Sequence, residues 1–306
     1  MRRLLWLFLL MGCYRVGSHI DPQLNCHVQE NYLKNLPSPF PVLEEPLQDW
    51  EKEEKIGRSF SKELDLYQAI TAFKRASFLL PSSFSEKKNQ LNYDVLFSYY
   101  LGGKFQDVLY SFENSSLRKM TPSFLPYRDL LLILYDSYSH LGESEKEERL
   151  LQYIGRVYPE MAQKLSISRS LSQGNIEELQ LYAAGYPEVR SLLSEYRAQK
   201  KSVACTQWLN ALLPGSGFLY LGQKQSALTS FLVNALFIWS SVYFFQRHNI
   251  SAGAIFASLE AGWYFGGIYG GGLEAKFYNE RLYEKLATST MNENRYFPIL
   301  MLDYGF

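Results

Sequence analysis

The sequence has few cysteines, few histidines and no net charge, and each shortage argues against a class of protein. Three cysteines in 306 residues are too few for a disulfide scaffold and show no CxxC zinc spacing. Lysine plus arginine and aspartate plus glutamate both total 31, which removes the basic surface expected of a nucleic-acid binder. The four histidines stand in no HExxH motif and beside no nucleophile motif. We therefore expect no nucleic-acid partner, no metal, no cofactor and no enzyme active site.

The sequence is rich in apolar residues, and these are unevenly distributed along the chain. Charged residues make up 20% and aromatic residues 16%, which is too apolar a composition for a disordered chain. The length suits one large or two medium domains with a buried core. Because the long apolar runs are concentrated in the last third, we expect that part to differ in kind from the middle.

The N-terminal residues 1–18 resemble an export signal. The chain opens with Met-Arg-Arg, and residues 4–11 are apolar over a length typical of a signal peptide. Residues 10–13 (LMGC) resemble a bacterial lipobox, although a methionine stands where a small residue is usual, and the resemblance implies lipidation of Cys13. An ordinary cleaved signal and an uncleaved anchor are the alternatives. Residues 19–50 contain five prolines and are predicted to be a linker.

Residues 51–201 are predicted to form helical repeats. Near their start stand an aliphatic-glycine pair, an aromatic three residues later, an Ala-x3-aromatic-x2-Ala series and a closing proline. These positions, Ile56, Gly57, Phe60, Ala69, Phe73, Ala76 and Pro81, resemble the tetratricopeptide repeat (TPR), with Glu53 at the usual tryptophan position. Small residues at such positions let two helices approach, and the aromatics fill the groove between them. Fainter copies follow around Gly103 and Gly142.

The resemblance implies an all-α, TPR-like solenoid that binds a protein partner on its concave face. An all-α bundle without superhelical order is the alternative.

Residues 202–285 are predicted to be a membrane module. The segment 226–246 is uncharged throughout and long enough to span a bilayer, and 251–273 is a second such segment with one charge, Glu260. A short polar loop separates them, so the sequence predicts an antiparallel transmembrane hairpin, with two buried core helices as the alternative. Residues 286–306 are predicted to be a C-terminal tail, either a lone strand or a docked extension.

The stretch LLPGSGFLYLGQKQSALTSFLVNALF, which begins at Leu212, contains a glycine-rich turn, a Tyr-x-Gly sequence and a following span. It resembles the TM2-domain pattern and a hydrophobic module found at the C-terminus of bacterial envelope TPR proteins. The resemblance implies association with the lipid bilayer and brings no active site with it.

One ionisable residue of the predicted hairpin is a candidate site. Glu260 and Asn234 are expected at similar depth, and an ionisable group inside a membrane is a functional candidate whose partner should be named. A structural polar clamp between the spans is the first interpretation of this pair, and proton or ion translocation is the second.

Small residues recur at every fourth position of the second predicted span. They are Ala254, Ser258, Gly262, Gly266 and Gly270. This ladder predicts close packing against a helix of the same chain or of a second copy, and hence a homo-oligomer in the latter case.

These features predict a non-enzymatic, membrane-anchored TPR adaptor of the bacterial cell envelope. The alternative is a component of an envelope transport or protein-assembly system in which Glu260 is functional. The export signal favours the inner membrane with a periplasmic TPR region, whereas the positive-inside rule favours a cytoplasmic one.

Overall fold

The computed structural model describes residues 16–17, 19–26, 30–41 and 48–306. About 75% of the structure is helical, and no β-strand occurs within the described ranges. The predicted all-α class is therefore confirmed.

The α-helices of the described residues follow one another along the chain, with short 3-10 helices at Ser116–Lys119 and Pro298–Met301. They are α1 (Glu30–Lys34), α2 (Asp49–Lys62), α3 (Leu66–Leu79), α4 (Ser85–Leu101), α5 (Phe105–Glu113), α6 (Tyr127–His140), α7 (Ser144–Val157), α8 (Pro159–Ser172), α9 (Ile176–Tyr182), α10 (Pro187–Gln199), α11 (Val203–Leu212), α12 (Ser216–Tyr220), α13 (Lys224–Gln246) and α14 (Ile250–Glu293).

Contacts divide the chain into two compact units. The first unit comprises residues 25–169 and 290–306, and the second comprises the residues up to 24 together with 170–289. The predicted boundary at residues 201–202 differs from this division, because α10 contacts α14 inside the second unit. There the ring of Tyr196 meets the ring of Tyr283 edge to face, with centroids 5.5 Å apart.

The first three helix pairs of the first unit reverse direction through the same turn. Leu64, Gly103 and Gly142, at intervals of 39 residues, have φ angles of 62°, 66° and 70°. In each turn the next backbone N–H donates to the carbonyl five residues earlier, at 2.9 to 3.0 Å. This is the Schellman arrangement, which satisfies carbonyls at a helix end and favours glycine at the left-handed position. The fainter sequence copies thus form helix pairs closed like the first.

The core of the first helix pair lies at the positions that resemble a repeat. Ala69, Phe73 and Ala76 are fully buried, and Phe60 packs against the cluster that they form. Gly57 is also buried, and a Cβ placed there would lie 2.7 Å from the ring of Phe73. The two helices can approach this closely because residue 57 has no side chain.

The remaining repeat-like positions lie at the margin of this core. The side chain of Ile56 is 46% exposed. Pro81 stands two residues after the end of α3, where a residue without an amide hydrogen does not interrupt the helix.

The second unit contains the long apolar helices. A break at Pro214 and Gly215 separates α11 from α12, and Gly215 has a φ of +93°. The helix α13 corresponds to the first predicted span, and the loop after it turns at His248, whose φ is 57°. The helix α14 is 44 residues long and continues past residue 285 into the predicted tail.

Replacing Gly57 by alanine tests whether this position governs the approach of α2 and α3. The new methyl group would overlap the buried ring of Phe73, so we expect a loss of about 1–2 kcal/mol, overpacking outweighing the gain in helix propensity. Thermal unfolding of the detergent-purified chain, followed by circular dichroism, measures the change.

Gly155→Ala is the matched control. A Cβ at this glycine, in the last turn of α7, would meet Ala162 at an ordinary 3.7 Å, so alanine should leave stability unchanged or raise it by up to about 1 kcal/mol. Equal effects of the two substitutions would contradict the packing argument.

Candidate functional site

The first unit holds the end of the chain by its backbone. The carboxylate of Asp129 accepts hydrogen bonds from the backbone N–H of Asp303, at 3.0 and 3.2 Å, and of Tyr304, at 2.9 Å. The neighbouring Arg128 donates to the carbonyl of Met301 at 3.0 Å and pairs with the carboxylate of Asp303 at 2.6 Å. Two consecutive side chains of α6 thus hold three residues of an extended segment.

The segment before α2 holds the same tail from other positions. The hydroxyl of Tyr32 donates to the carbonyl of Leu300 at 2.9 Å, and the N–H of Gly305 donates to the carbonyl of Pro37 at 2.9 Å. A Cβ at Gly305 would lie 2.8 Å from the Cβ of Leu36, so a larger residue would not fit here without movement. The predicted tail is therefore a docked extension with one 3-10 turn.

Aromatic packing fixes the last residue of the segment. The ring of Phe306 lies 4.8 Å from that of Phe97 and 6.2 Å from that of Phe73. The tail thus adds to the same core that contains the first helix pair. In chemical terms the first unit binds an extended peptide through side-chain-to-backbone hydrogen bonds and an aromatic pocket.

Burial governs the charge of Asp129, which is fully inaccessible. Desolvation raises the pKa of this carboxyl to about 6, and the negative charge of Asp303 adds to the rise. The hydrogen bonds from Tyr304 and Asp303 and the charge of Arg128 act in the opposite direction, because they favour the carboxylate.

A second polar cluster lies between α2 and α4. The guanidinium of Arg58 contacts the carboxylates of Glu54 at 3.1 Å and Asp94 at 3.3 Å, and the ammonium of Lys87 lies 2.8 Å from Glu54. Glu54, Arg58 and Asp94 are each at most 4% exposed. Desolvation raises the pKa of Asp94 to about 7, because burial outweighs the attraction of Arg58.

His140 is the last residue of α6. Nδ1 of His140 lies 2.9 Å from the carbonyl of Asp136, and the ring stacks on Phe105 with centroids 4.2 Å apart. The side-chain hydrogen bond with Asp136 raises the pKa of His140 to about 9, so the ring is cationic at the C-terminal end of α6. Across the described ranges no group of three or more His, Cys, Asp or Glu side chains is placed to hold a metal ion.

In the second unit, one asparagine ties three segments together. Asn210 is 2% exposed, its amide group donates to the carbonyl of Gly267 at 3.0 Å, and its oxygen accepts from the N–H of Gly217 at 2.7 Å. A Cβ at Gly217 or at Gly271 would overlap this side chain. The helix that carries Asn210 therefore approaches α14 closely at Gly267 and Gly271.

The predicted glycine ladder lies on another face of α14. A Cβ at Gly262, Gly266 or Gly270 would meet nothing within 4 Å, so no described residue of the chain packs tightly there. The hydroxyl of Ser258 donates to the carbonyl of Ala254 at 2.8 Å, within the same helix. Within this chain the three glycines of the ladder therefore face open space, and close packing against a second copy stays a prediction.

The predicted polar pair is not joined by a hydrogen bond. The amide group of Asn234 donates to the carbonyl of Ser230 at 2.6 Å. Oδ1 of Asn234 and Oε2 of Glu260 are both buried, and neither accepts a hydrogen bond from the described residues. Two unpartnered acceptors therefore lie in the helices of this unit.

Cys13 and the basic and apolar parts of the predicted signal lie outside the described residues. Comparisons with protein-family models, with curated proteins and with solved structures return no match. The resemblances to the TPR and to the TM2 domain therefore stay predictions that rest on the residues quoted above.

Three polar sites lie outside the sequence predictions: the side chains that hold the tail, the cluster around Arg58, and Asn210. Two of them carry a signal that is visible in the sequence. Arg128 and Asp129 stand directly before an apolar run in α6, and Asn210 stands between apolar residues before a Pro-Gly pair. Charged or amide groups in such surroundings are buried only when they have partners, so they mark internal hydrogen bonds. The tail that Asp129 binds is about 175 residues away, and no local pattern connects the two.

The raised pKa of Asp94 predicts a pH dependence of stability. The carboxyl binds its proton more tightly in the folded chain, at a pKa of about 7, than in the unfolded chain, at about 4. Stability should therefore fall as the pH rises from about 4 to 7, and the melting temperature should be higher at pH 5 than at pH 8.

Asp94→Asn should reduce the difference in melting temperature between pH 5 and pH 8. Thermal unfolding of the full chain at both pH values measures this difference. A remainder is expected, because burial raises the pKa of Asp129 in the same direction. Asp107→Asn, at an exposed position of α5, is the control. If the wild-type chain is equally stable at pH 5 and pH 8, the assignment of a buried, proton-binding Asp94 is wrong.

Proposed function

We propose that the chain is a non-enzymatic, membrane-anchored scaffold of the bacterial cell envelope that binds a protein partner through its first unit. The observation that carries this proposal is how the first unit holds residues 300–306. Asp129, Arg128 and Tyr32 bind backbone atoms of residues 300–304, as a peptide-binding surface does. Because the chain's own tail occupies these groups, a partner is expected at another surface of the same unit.

Exposed aromatics on α3 provide a surface for that partner. Tyr67 is 79% exposed and Phe78 is 89% exposed. They are 11 residues apart and so lie on one face of the helix. Large aromatic side chains dominate the binding energy of protein interfaces. We therefore infer that the partner binds to this face of α3.

The membrane anchor is supported by α13. This helix has 23 residues, a mean hydropathy of 1.6 over its most apolar 18, and only 17% of that stretch buried. Among the described helices it is the one that combines a spanning length with so apolar a stretch. Many of its apolar side chains are exposed on the surface of the chain. Leu232, Leu236 and Trp239, for example, are each more than half exposed. Lipid is a favourable environment for such a surface.

The tail supports a return crossing by the first part of α14. Residues 290–306 belong to the same unit as 25–169, so both lie on one side of any membrane that the intervening chain enters. The chain between them must then cross an even number of times. Since α11 and α12 have 10 and 5 residues, they are too short to span, and 251–273 is left as the second crossing.

A second candidate function is a transport or assembly role for Glu260. The observation that favours it is the pair of buried acceptors, Glu260 Oε2 and Asn234 Oδ1, without hydrogen-bond partners. A proton on Glu260 would turn one acceptor into a donor.

The scaffold is tested by crosslinking in membranes washed with alkaline carbonate. We expect the chain to stay in the washed membranes and to form a crosslinked product with a second protein. Combined Tyr67→Ser and Phe78→Ser should abolish the product, whereas Leu125→Ser, an exposed apolar position outside α3, should leave it intact.

Release of the chain by carbonate would contradict the anchor. Absence of a product, or equal loss in the control, would contradict the partner surface. The export signal predicts a periplasmic location for the first unit. Protection of this unit from protease added to spheroplasts would contradict that location.

The Glu260 role is tested by Glu260→Gln, which keeps the shape and removes the titration. We expect the variant to accumulate in membranes and to complement a deletion strain at pH 6 and pH 8 as the wild type does. Loss of complementation at one pH only, with normal accumulation, would favour the transport role over a structural one.

A further inference from the structure

The helices α13 and α14 are closely packed near their connecting loop. The hydroxyl of Ser241 donates to the carbonyl of Gly253 at 3.2 Å. The ring of Phe256 lies 5.4 Å from that of Phe244 and 6.3 Å from that of Phe237. These contacts define an antiparallel register in which Ser230 faces Gly267 and residue 223 faces residue 274.

Further from the loop the two helices flank an open pocket of about 640 Å³, called the cavity below. Its walls come from the start of α13, the middle of α14 and the region of α12, all in the second unit. The lining residues are Phe218, Gln223, Gln225, Ser226, Thr229, Ser230, Gly262, Trp263, Gly266, Gly267 and Glu274. A volume of this size is typical of sites that bind a small molecule.

The cavity is polar at one end and apolar at the other. Glu274 accepts a hydrogen bond from the amide of Gln223 at 2.8 Å, and hydroxyl and amide side chains follow along the first two turns of α13. At the other end lie Gly262 and Trp263. Twelve residues of α14 separate the ends, which is about 18 Å at 1.5 Å per residue.

The polar wall contains a hydroxyl group that opens onto the cavity. Ser230 is only 8% exposed as a whole residue, and it lines the cavity. Its hydroxyl can donate a hydrogen bond to an occupant that carries an acceptor.

The apolar end has room for a chain of methylene groups. A Cβ at Gly262 or Gly266 would meet nothing within 4 Å, and the first contact of one at Gly267 would be the Ser230 hydroxyl at 3.9 Å. The cavity lies beside the proposed membrane helix α13, so lipid chains are the apolar groups available to fill it.

The charges of the lining residues indicate the chemistry of the occupant's polar end. Glu274 is the one ionisable residue among the lining residues, and its neutral partner Gln223 leaves the negative charge uncompensated. A cation is therefore favoured beside it. The N-terminal end of α13, with its free N–H groups and positive dipole, favours a phosphate nearby.

We propose that this cavity binds one aminophospholipid. Its ammonium group lies at Glu274, its phosphate and ester oxygens accept from the side chains of Gln225, Ser226 and Ser230, and one acyl chain runs along Gly262 and Gly266. The proposal rests on the membrane anchor proposed above and names the lipid that the anchor would retain.

The test is native mass spectrometry of the full chain, released from nanodiscs that contain equal amounts of phosphatidylethanolamine and phosphatidylglycerol. We expect one retained phosphatidylethanolamine per chain, at least tenfold over phosphatidylglycerol. Gly266→Leu should reduce retention at least tenfold, because leucine fills the apolar end. Gly270→Leu is the matched control: it lies in the same ladder and in open space but does not line the cavity.

Glu274→Gln should remove the preference for phosphatidylethanolamine while some lipid is still retained, and circular dichroism checks that each variant is folded. No retained lipid on the wild type, or equal retention by Gly266→Leu, would overturn the proposal. A dimer that Gly266→Leu dissociates would assign the cavity to a second copy of the chain instead. A chain that resists carbonate yet retains no lipid contradicts only this site, whereas a chain that carbonate releases contradicts the anchor.

Discussion

One backbone hydrogen bond recurs at the helix ends of this protein. At seven helix ends of the described residues a residue with positive φ follows the helix, and the next N–H donates to the carbonyl five residues earlier. This turn occurs in both units, at Leu64, Gly103, Gly142, Gly174, Gly222, His248 and Arg295. The turn satisfies carbonyls that would otherwise have no partner and directs the chain back along the helix just formed. The side chains then need only supply complementary surfaces, which is why such different pairs as α2–α3 and α13–α14 use it.

Sequence reasoning succeeds where a contact depends on residues close together in the chain. Gly57 and Phe73 are 16 residues apart, and a missing side chain opposite a large one is visible as a pattern. The turns at Gly103 and Gly142 are visible for the same reason, since glycine favours positive φ. The turn at Leu64 is equivalent but carries no glycine, so only its position in the 39-residue interval would have indicated it.

Sequence reasoning fails where the partner is far along the chain or where the opposing surface must be known. The hydrogen bonds from Asp303 and Tyr304 to Asp129 connect residues about 175 positions apart. The ladder that includes Gly266 predicts a close helix of the same chain or of a second copy, because spacing shows only that the residues share a face. No described residue of this chain packs closely at its three glycines, and packing against a second copy stays a prediction.

The docked tail has a consequence for the order in which the protein is made. The first unit needs residues 290–306, so it lacks part of its core until some 120 further residues have been synthesised. Until then the aromatic site of Phe306 is unfilled and the buried carboxylate of Asp129 has no backbone N–H partners. The tail can therefore complete the first unit only after every helix between them has been made.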